Sequence, residues 1–379
     1  MRQRALFAYS RGDASLQLLS RPGPTMTLRV LQWSTGNVGR ASLRALLAHP
    51  ELELAGVFAH APEKNGIDVG ALLGRDELGI SVTNDLESAL SLDVDCVLHM
   101  PLPSQRYGDD PGRDLDDLCR MLSAGVNVVT TVGYVYPRAH GDEVVERLEA
   151  ACAEGGVSVH GTGVNPGWLA ELLPLVMTGL SERIDRISVL ESTDFSFYPS
   201  HDVIFKMMGL GSSPEHFEAS SERYTDWLSG LFRESLCMLA DGLALELEEE
   251  TRSIDLVLAD EAFEIAAGRI EPGTIAAQRF RWAGRAGGQD RIVFEAVYRA
   301  TAAVAPDWAP PGCKVEVEGR PRLVLDLGEE WISNALVATA MHAVHAVPHV
   351  CRAEPGIRTF LDLPLIVGRH AFRGARDPA

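Results

Sequence analysis

The stretch that decides the fold is residues 28–49, which read LRVLQWSTGNVGRASLRALLAH. It begins with a short apolar run, continues through a turn of small residues, and ends with leucines on one face before Pro50. A strand, a glycine-containing turn and a helix in this order predict a loop whose backbone N–H groups bind a pyrophosphate. The residues of this loop are Ser34, Thr35, Gly36, Asn37, Val38 and Gly39.

The two glycines of this loop have separate predicted roles. Gly36 leaves room for the close approach of a phosphate, and Gly39 lets the helix pack on the strand. The familiar dinucleotide-binding pattern is GxGxxG, and Ser34 occupies the position of its first glycine. We therefore predict a nicotinamide dinucleotide site. The alternative is a helix start in which glycine serves packing alone.

Strands and helices alternate along the first part of the chain. Further strands are predicted at residues 52–58, 95–100, 126–131 and 157–160, with helices at 114–124 and 143–153. The strand runs are apolar throughout, which is typical of a parallel sheet covered on both faces. The sequence thus predicts an α/β fold with a Rossmann-type parallel sheet domain over residues 26–166.

The pattern changes after Pro166. Longer, partly alternating strands are predicted at residues 184–192, 278–282, 291–300 and 314–327, with helices at 221–243 and 333–347. Such alternation indicates a mostly antiparallel sheet with one open face. We expect a second, α+β domain for substrate binding and dimerisation over residues 167–332. Residues 333–379 are expected to form a helix and tail that return to the first domain.

Charge and cysteine content restrict the class of protein. The 379 residues include 53 acidic and 34 basic side chains, for a net charge of −19, which disfavours nucleic acid as a partner. Six cysteines without any CxxC pair are typical of reduced thiols in a cytoplasmic protein. Residues 1–25 are arginine-rich and expected to be a disordered extension, with Met26 as the functional start; a targeting peptide is the alternative.

The ends of the predicted parallel strands supply candidate cofactor contacts, because ligands of open α/β sheets bind there. The second strand ends without an acid that would bind a ribose hydroxyl, whereas His60 and Lys64 could meet a 2′-phosphate. This favours NADP over NAD; the alternative is that both side chains are solvated. The other candidates at strand ends are His99, Pro101, Thr130 and Asn165. Asn165 could instead fix an interdomain turn.

Three side chains are candidate catalytic proton donors. Tyr134 follows the fifth predicted strand, and Asp194 and His201 follow the first strand of the second domain. The alternative for Tyr134, as for the nearby Tyr136, is an aromatic packing role. The alternative for the segment with Asp194 and His201 is a capped junction between a loop and a helix. No metal site is expected, since the closely spaced His342, His345 and His349 lack a further ligand.

Four motifs carry a resemblance to a known family. They are QWSTGNVG at 32–39, GVNVVTT at 125–131, GTGVNPG at 161–167 and AVP at 346–348. In this order they resemble the dihydrodipicolinate-reductase-like oxidoreductases, and within them the group of 2,4-diaminopentanoate dehydrogenase and the NAD(P)H-dependent amine dehydrogenases. The resemblance implies a Rossmann domain, an α+β substrate domain, a homodimer, and reductive amination of a carbonyl or its reverse.

One segment departs from that group. Its amine dehydrogenases carry a glutamate shortly after the strand that resembles residues 127–130, and the resemblance implies that this carboxylate handles ammonia. Residues 130–137 here read TTVGYVYP and contain no carboxylate. We therefore expect an NAD(P)H-dependent oxidoreductase for a small carbonyl, imine or amine, with weak ammonia-dependent activity. The alternative is a dinucleotide-binding homodimer without turnover, serving as a redox sensor or in a structural role.

Overall fold

The computed structural model describes residues 27–372, so the predicted extension at residues 1–25 lies outside the described part of the chain. Its first sheet is entirely parallel. Six of the strands are β1 (Leu28–Trp33), β2 (Leu52–Phe58), β3 (Val82–Thr83), β4 (Cys96–His99), β5 (Asn127–Thr130) and β6 (Ser158–Gly161). Their spatial order is β3-β2-β1-β4-β5-β6, the doubly wound arrangement that the sequence predicted.

Helices cover both faces of this sheet. They are α1 (Asn37–Ala48), α2 (Val69–Leu73), α3 (Leu86–Leu90), α4 (Ser104–Tyr107), α5 (Arg113–Ser123) and α6 (Asp142–Gly155). Strands β1, β4 and β5 are buried almost completely, which explains why their sequences do not alternate. The α/β class is confirmed.

A second sheet of six strands follows, in the order β14-β13-β7-β12-β11-β8. Its strands and a separate hairpin (β9, β10) are β7 (Arg183–Asp194), β8 (Glu249–Leu258), β9 (Phe263–Ile265), β10 (Gly268–Ile270), β11 (Ile275–Ala286), β12 (Gln289–Arg299), β13 (Gly312–Arg320) and β14 (Leu323–Leu327). All neighbours in the sheet are antiparallel except β7 and β12, which run parallel. The expected mostly antiparallel sheet is therefore confirmed.

The remaining helices are α7 (Leu173–Thr178), α8 (Pro214–Ser220), α9 (Glu222–Gly242), α10 (Glu329–Ser333) and α11 (Ala335–Val350). The long helix α9 packs on one face of the second sheet, where Phe232 stacks on Trp282 with ring centroids 4.2 Å apart. Full burial of a large apolar side chain contributes about 1.5–3 kcal/mol, so this layer stabilises the second core. No helix within residues 27–372 is long and apolar enough to cross a membrane.

The C-terminal segment packs against the first sheet. Val344 and Val347 of α11 share a core with Leu43 and Leu46 of α1. A short last strand, β15 (Gly356–Ile357), then pairs in parallel with β6 and extends the first sheet. The chain therefore crosses between the two sheets twice, and the segment after β6 lies against α11, where the Val164 N–H donates to Thr339 Oγ1 at 3.3 Å.

Several elements differ from the sequence-based prediction. Residues 314–327, predicted as one strand, form β13 and β14 joined by a tight turn. The edge strand β8 was not predicted, because most of its side chains are exposed and polar and leave no apolar alternation. The hairpin of β9 and β10 was also missed, since three residues are too few to show a period.

Candidate functional site

The loop after β1 has the shape of a phosphate-binding turn. Ser34 adopts a φ of +84°, a left-handed conformation that favours glycine, which explains why the familiar pattern has glycine at this position. Its N–H donates to the Phe58 carbonyl at 2.7 Å, and Gln32 Nε2 donates to the Ser34 carbonyl at 3.1 Å. These two bonds fix the turn against β2 at the carboxyl end of the sheet.

The two glycines of the loop lie in different surroundings. No heavy atom lies within 4 Å of a Cβ placed on Gly36, and no side chain caps the N-terminus of α1. A Cβ on Gly39 would instead overlap the Ser34 carbonyl oxygen, so this residue lets α1 pack against the turn. The first N–H groups of α1 therefore face open space without a side-chain acceptor, and this cradle fits the pyrophosphate of a dinucleotide.

Basic and acidic side chains meet near the end of β2. His60 is exposed, Lys64 is partly exposed, and Arg40 in the first turn of α1 is exposed. Asp117 of α5 approaches His60, with Oδ2 3.9 Å from Nε2. Burial and then the nearby Asp114 raise the pKa of Asp117 to about 6. The sequence shows no acid at the tip of β2, but the fold brings one there from α5.

Three predicted cofactor contacts lie beneath the surface of the cleft. His99, Thr130 and Thr35 are buried, with at most 1% of each residue exposed. His99 Nδ1 lies 2.9 Å from Thr130 Oγ1, and burial lowers the pKa of His99 to about 3, so its imidazole is neutral. These side chains form the base of the site, whereas Pro101 is partly exposed at the rim.

The segment after β5 is held by a buried glutamate of α9. Glu234 accepts N–H groups from Tyr134 at 3.0 Å and Tyr136 at 2.7 Å, and its Oε1 lies 2.9 Å from His140 Nε2. Burial opposes protonation of His140, but the contact with Glu234 outweighs it and raises the pKa of this histidine. Tyr134 is buried in the core below β5, and burial raises its pKa. Glu234 therefore fixes the position of residues 134–140, which lie between the two sheets.

The other two candidate proton donors lie apart from Tyr134. Asp194 accepts backbone N–H groups of Ser196 and Ala302, each at 2.7 Å, so both of its oxygens hold the chain around the end of β7. The His201 side chain is 63% exposed and stacks beside Phe205 at 4.7 Å. In the described part of the chain, neither Asp194 nor His201 shares a hydrogen bond or a ring contact with Tyr134.

Asn165 reaches across the cleft between the sheets. Its Nδ2 donates to Glu191 Oε2 at 2.6 Å, and Glu191 belongs to β7 of the second sheet. The loop that carries Asn165 is held on its other side by Thr162, whose Oγ1 lies 2.7 Å from His342 Nδ1 of α11. Asn165 therefore joins the end of β6 to the second sheet.

The three histidines of α11 have separate environments. Besides its contact with Thr162, His342 is largely buried, and this burial lowers its pKa to about 3. Burial also lowers the pKa values of His345 and His349. Within residues 27–372, no group of three or more histidine, cysteine, aspartate or glutamate side chains has a metal-binding arrangement.

Sequence reasoning missed four residues at the site: Arg40, Asp117, Glu191 and Glu234. Arg40 directly follows Gly39, so its position was a usable signal. The other three are acids that come from distant elements, and only the fold brings them to the strand ends. Glu191 sits on the same face of β7 as the apolar Ile187 and Val189, and a charged residue in an apolar register is the signal that could have found it.

Comparison with known proteins agrees with this architecture. The family model of the 2,4-diaminopentanoate dehydrogenase C-terminal domain matches residues 168–375. An amine dehydrogenase from Streptomyces virginiae is 33% identical over 88% of this chain and 95% of its own length. The 2,4-diaminopentanoate dehydrogenase of Acetoanaerobium sticklandii is 27% identical over 66% of this chain and 70% of its own.

A solved structure supports the same fold. The amine dehydrogenase from Mycobacterium smegmatis superposes with a TM-score of 0.70 at 22% identity and covers 90% of this chain and 97% of its own. The extent of these matches includes both sheets and the segment that returns to the first one. The chain is therefore an NAD(P)-dependent dehydrogenase and belongs to the family of 2,4-diaminopentanoate and amine dehydrogenases.

Proposed function

We propose that this dehydrogenase acts on a small amine, imine or carbonyl compound. The observation that carries the proposal is the phosphate loop, in which Gly36 faces open space at an uncapped helix N-terminus. The relatives, an amine dehydrogenase and a 2,4-diaminopentanoate dehydrogenase, favour carbon–nitrogen chemistry. When bound, the nicotinamide supplies or accepts the hydride, and the protein provides orientation, a proton donor and exclusion of water.

The residues proposed to hold the cofactor surround the loop and the strand ends. Residues 34–39 bind the pyrophosphate through backbone N–H groups, and His99 with Thr130 supports the floor on which the nicotinamide half lies. Pro101 and Asn165 border the cleft. The buried, neutral His99 adds no charge, which suits a nicotinamide ring that is positively charged in its oxidised form.

We propose that NADP is preferred over NAD. Arg40, His60 and Lys64 offer positive or protonatable groups near the end of β2, where a 2′-phosphate would lie. Asp117 works in the opposite direction, since its carboxylate approaches His60. The preference is therefore expected to be moderate, because Arg40 and Lys64 carry the positive charge, whereas burial and then Arg113 lower the pKa of His60 and Asp117 adds a nearby carboxyl.

Tyr134 is the first choice among the proposed proton donors. It directly follows the cofactor edge of β5 and is protonated at neutral pH, although burial raises its pKa and makes its hydroxyl a weaker acid than an exposed tyrosine. Asp194 and His201 come after it, because the oxygens of Asp194 already accept two backbone N–H groups and His201 is exposed. Each remains testable by a conservative substitution.

Two further proposals concern assembly and location. The second sheet has α9 on one face, while its other face carries mixed side chains such as Leu190, Val293 and Lys314; we propose that this face joins two copies into a homodimer. The six cysteines are all free, which supports a reducing compartment such as the cytoplasm. Light scattering after size-exclusion chromatography measures whether the protein is a dimer in solution.

Measuring turnover of candidate substrates tests the proposed function. Loss of NADPH absorbance is followed with a panel of small aldehydes and ketones, with and without ammonia, and cofactor reduction is followed with primary amines. We expect turnover with at least one compound in the panel. NADPH binding without turnover throughout the panel would contradict the proposal and favour a dinucleotide-binding protein that acts as a sensor or in assembly.

A further inference from the structure

Glu191 lies at the point where the core of the second sheet opens towards the cleft. Along β7 it continues the face that carries Ile187 and Val189, both buried against α9. Its neighbours in the sheet are Ala296 on β12 and Cys313 on β13. The residue as a whole is partly buried, and its two carboxylate oxygens face Asn165 and Tyr298.

No cation balances this carboxylate. Asn165 Nδ2 donates to Oε2 at 2.6 Å, and the Tyr298 hydroxyl approaches Oε1 at 3.5 Å. Within the described residues, no lysine, arginine or histidine nitrogen lies within 4 Å of Glu191. Burial raises the pKa of Glu191, since a carboxylate in such surroundings lacks both water and a charged partner. An enclosed acid of this kind is costly unless something pairs with it.

A second acceptor beside Glu191 also lacks a donor. The Oδ1 atom of Asn165 is buried and accepts no hydrogen bond from the described part of the protein. A carboxylate accepts hydrogen bonds but does not donate them, so the amide nitrogen of Asn165 must face Glu191 and its oxygen must face away. One N–H of Asn165 Nδ2 is used by Glu191, so beside the second amide N–H the pair presents Asn165 Oδ1 and the Glu191 oxygens as acceptors, which a group with several N–H donors would satisfy.

Aromatic rings enclose the same place. Phe195 lies edge-on to Tyr298 with centroids 5.7 Å apart. Burial, with Glu191 as a further cause, raises the pKa of Tyr298 and of the neighbouring Tyr224. The guanidinium of Arg106 already lies over the Tyr224 ring at 5.1 Å, so the rings left to meet a ligand are Phe195 and Tyr298. Aromatic faces attract cations and repel anions, and their hydrocarbon edges suit an apolar body. The surroundings thus favour a cationic nitrogen on an apolar carbon skeleton over a carboxylate or phosphate.

We propose that Glu191 and Asn165 bind the cationic nitrogen of the substrate, with Glu191 as the residue that determines specificity for amines. The inference rests on the proposed function and assigns a residue to it. It also revises the expectation from the sequence that ammonia-dependent activity is weak. Residues 130–137 contain no carboxylate, but folding brings one to the cleft from β7.

Binding of three ring compounds tests the inference without relying on turnover. Cyclohexylammonium, cyclohexanol and cyclohexanecarboxylate are titrated calorimetrically into the protein saturated with NADPH, because an amine cannot react with the reduced cofactor. Hydrogen bonds to charged groups contribute about 1.5–3 kcal/mol. We therefore expect cyclohexylammonium to bind about 10- to 100-fold more tightly than cyclohexanol, and cyclohexanecarboxylate to bind most weakly.

The Glu191→Gln variant removes the charge and keeps the shape. It should lose the preference for cyclohexylammonium over cyclohexanol while binding NADPH as the wild type does. The matched control is Glu182→Gln, which removes an exposed carboxylate just before the same strand and should change nothing. An unchanged preference in Glu191→Gln overturns the inference.

Two results on the wild type alone separate this inference from the proposed function. A wild type that binds NADPH but takes cyclohexanecarboxylate as tightly as cyclohexylammonium contradicts only the role of Glu191. A wild type that binds neither NADPH nor NADH contradicts the proposed function itself. Because these measurements need no variant, the inference stays testable even if Glu191→Gln does not fold.

Discussion

Substituting the two glycines of the phosphate loop should separate cofactor binding from stability. In Gly36→Val the new side chain enters open space, and the φ of −68° suits any residue. Valine is a poorer N-cap than glycine, which costs about 1 kcal/mol at most. The same side chain occupies the place of the pyrophosphate. Losing two charge-assisted hydrogen bonds at about 1.5–3 kcal/mol each weakens NADPH binding about 100-fold or more.

Gly39→Ala should have a different effect. Its Cβ overlaps the backbone of Ser34, which cannot rotate away as a side chain could. Overpacking of this severity costs about 3 kcal/mol, and alanine regains about 1 kcal/mol through helix propensity. The net loss of about 2 kcal/mol corresponds to a Tm lower by roughly 3 °C, given an unfolding entropy of about 2 cal/mol/K per residue.

Fluorescence titration with NADPH and thermal unfolding measure the two effects. The matched control is Gly328→Val: Gly328 also stands before a helix, with a φ of −65° and no atom within 4 Å of its Cβ, but far along the chain from the loop. It should bind NADPH like the wild type. If Gly36→Val binds NADPH as tightly as the wild type, the pyrophosphate does not lie at this loop and the cofactor assignment is refuted.

Three further predictions follow from the site. NADPH should bind more tightly than NADH, and Lys64→Ala should reduce that difference; tighter binding of NADH to the wild type contradicts the preference. Tyr134→Phe should lower kcat by about 10²- to 10⁴-fold with the best substrate, while Asp194→Asn and His201→Gln change it less; full kcat in Tyr134→Phe excludes its hydroxyl as the donor. Glu171 is a buried carboxyl shortly after Asn165 that accepts the N–H of Gly167 at 2.5 Å. Burial raises its pKa from 4.5 to about 7, so the folded protein holds this proton to higher pH than the unfolded chain does, and the free energy of unfolding should fall as the pH rises from about 4.5 to about 7. Chemical unfolding of Glu171→Gln should lack this component, on the order of 3 kcal/mol; equal pH slopes in both proteins would show that Glu171 titrates normally.

The first sheet was largely predictable because its signals are local. The loop after β1 shows a strand, a turn and a helix within 22 residues, and buried strands appear as continuous apolar runs. The second sheet was predicted in kind but not in detail. Its edge strand β8 and the hairpin of β9 and β10 lack the alternation of apolar residues from which strands were predicted.

The residues of the candidate site likewise fall into a predictable group and a group that was not predicted. Sequence spacing determined the pyrophosphate loop and the strand ends, since the contacts that define them lie within a few residues of each other. The partners of the carboxylates were not predicted from the sequence, because they lie far away in the chain. Glu234 is 100 residues from Tyr134, and Glu191 is 26 residues from Asn165.

The sequence by itself thus determined the fold class and the strand, turn and helix that form the proposed cofactor loop. Only the tertiary structure decided which charged side chains lie beside the ends of the parallel strands, and it did so for a physical reason. A buried carboxylate is acceptable only where distant elements supply its partners. The packing of the two sheets decides which residues become those partners. The sequence of residues 130–137 therefore gives no indication that Glu191 lies beside Asn165.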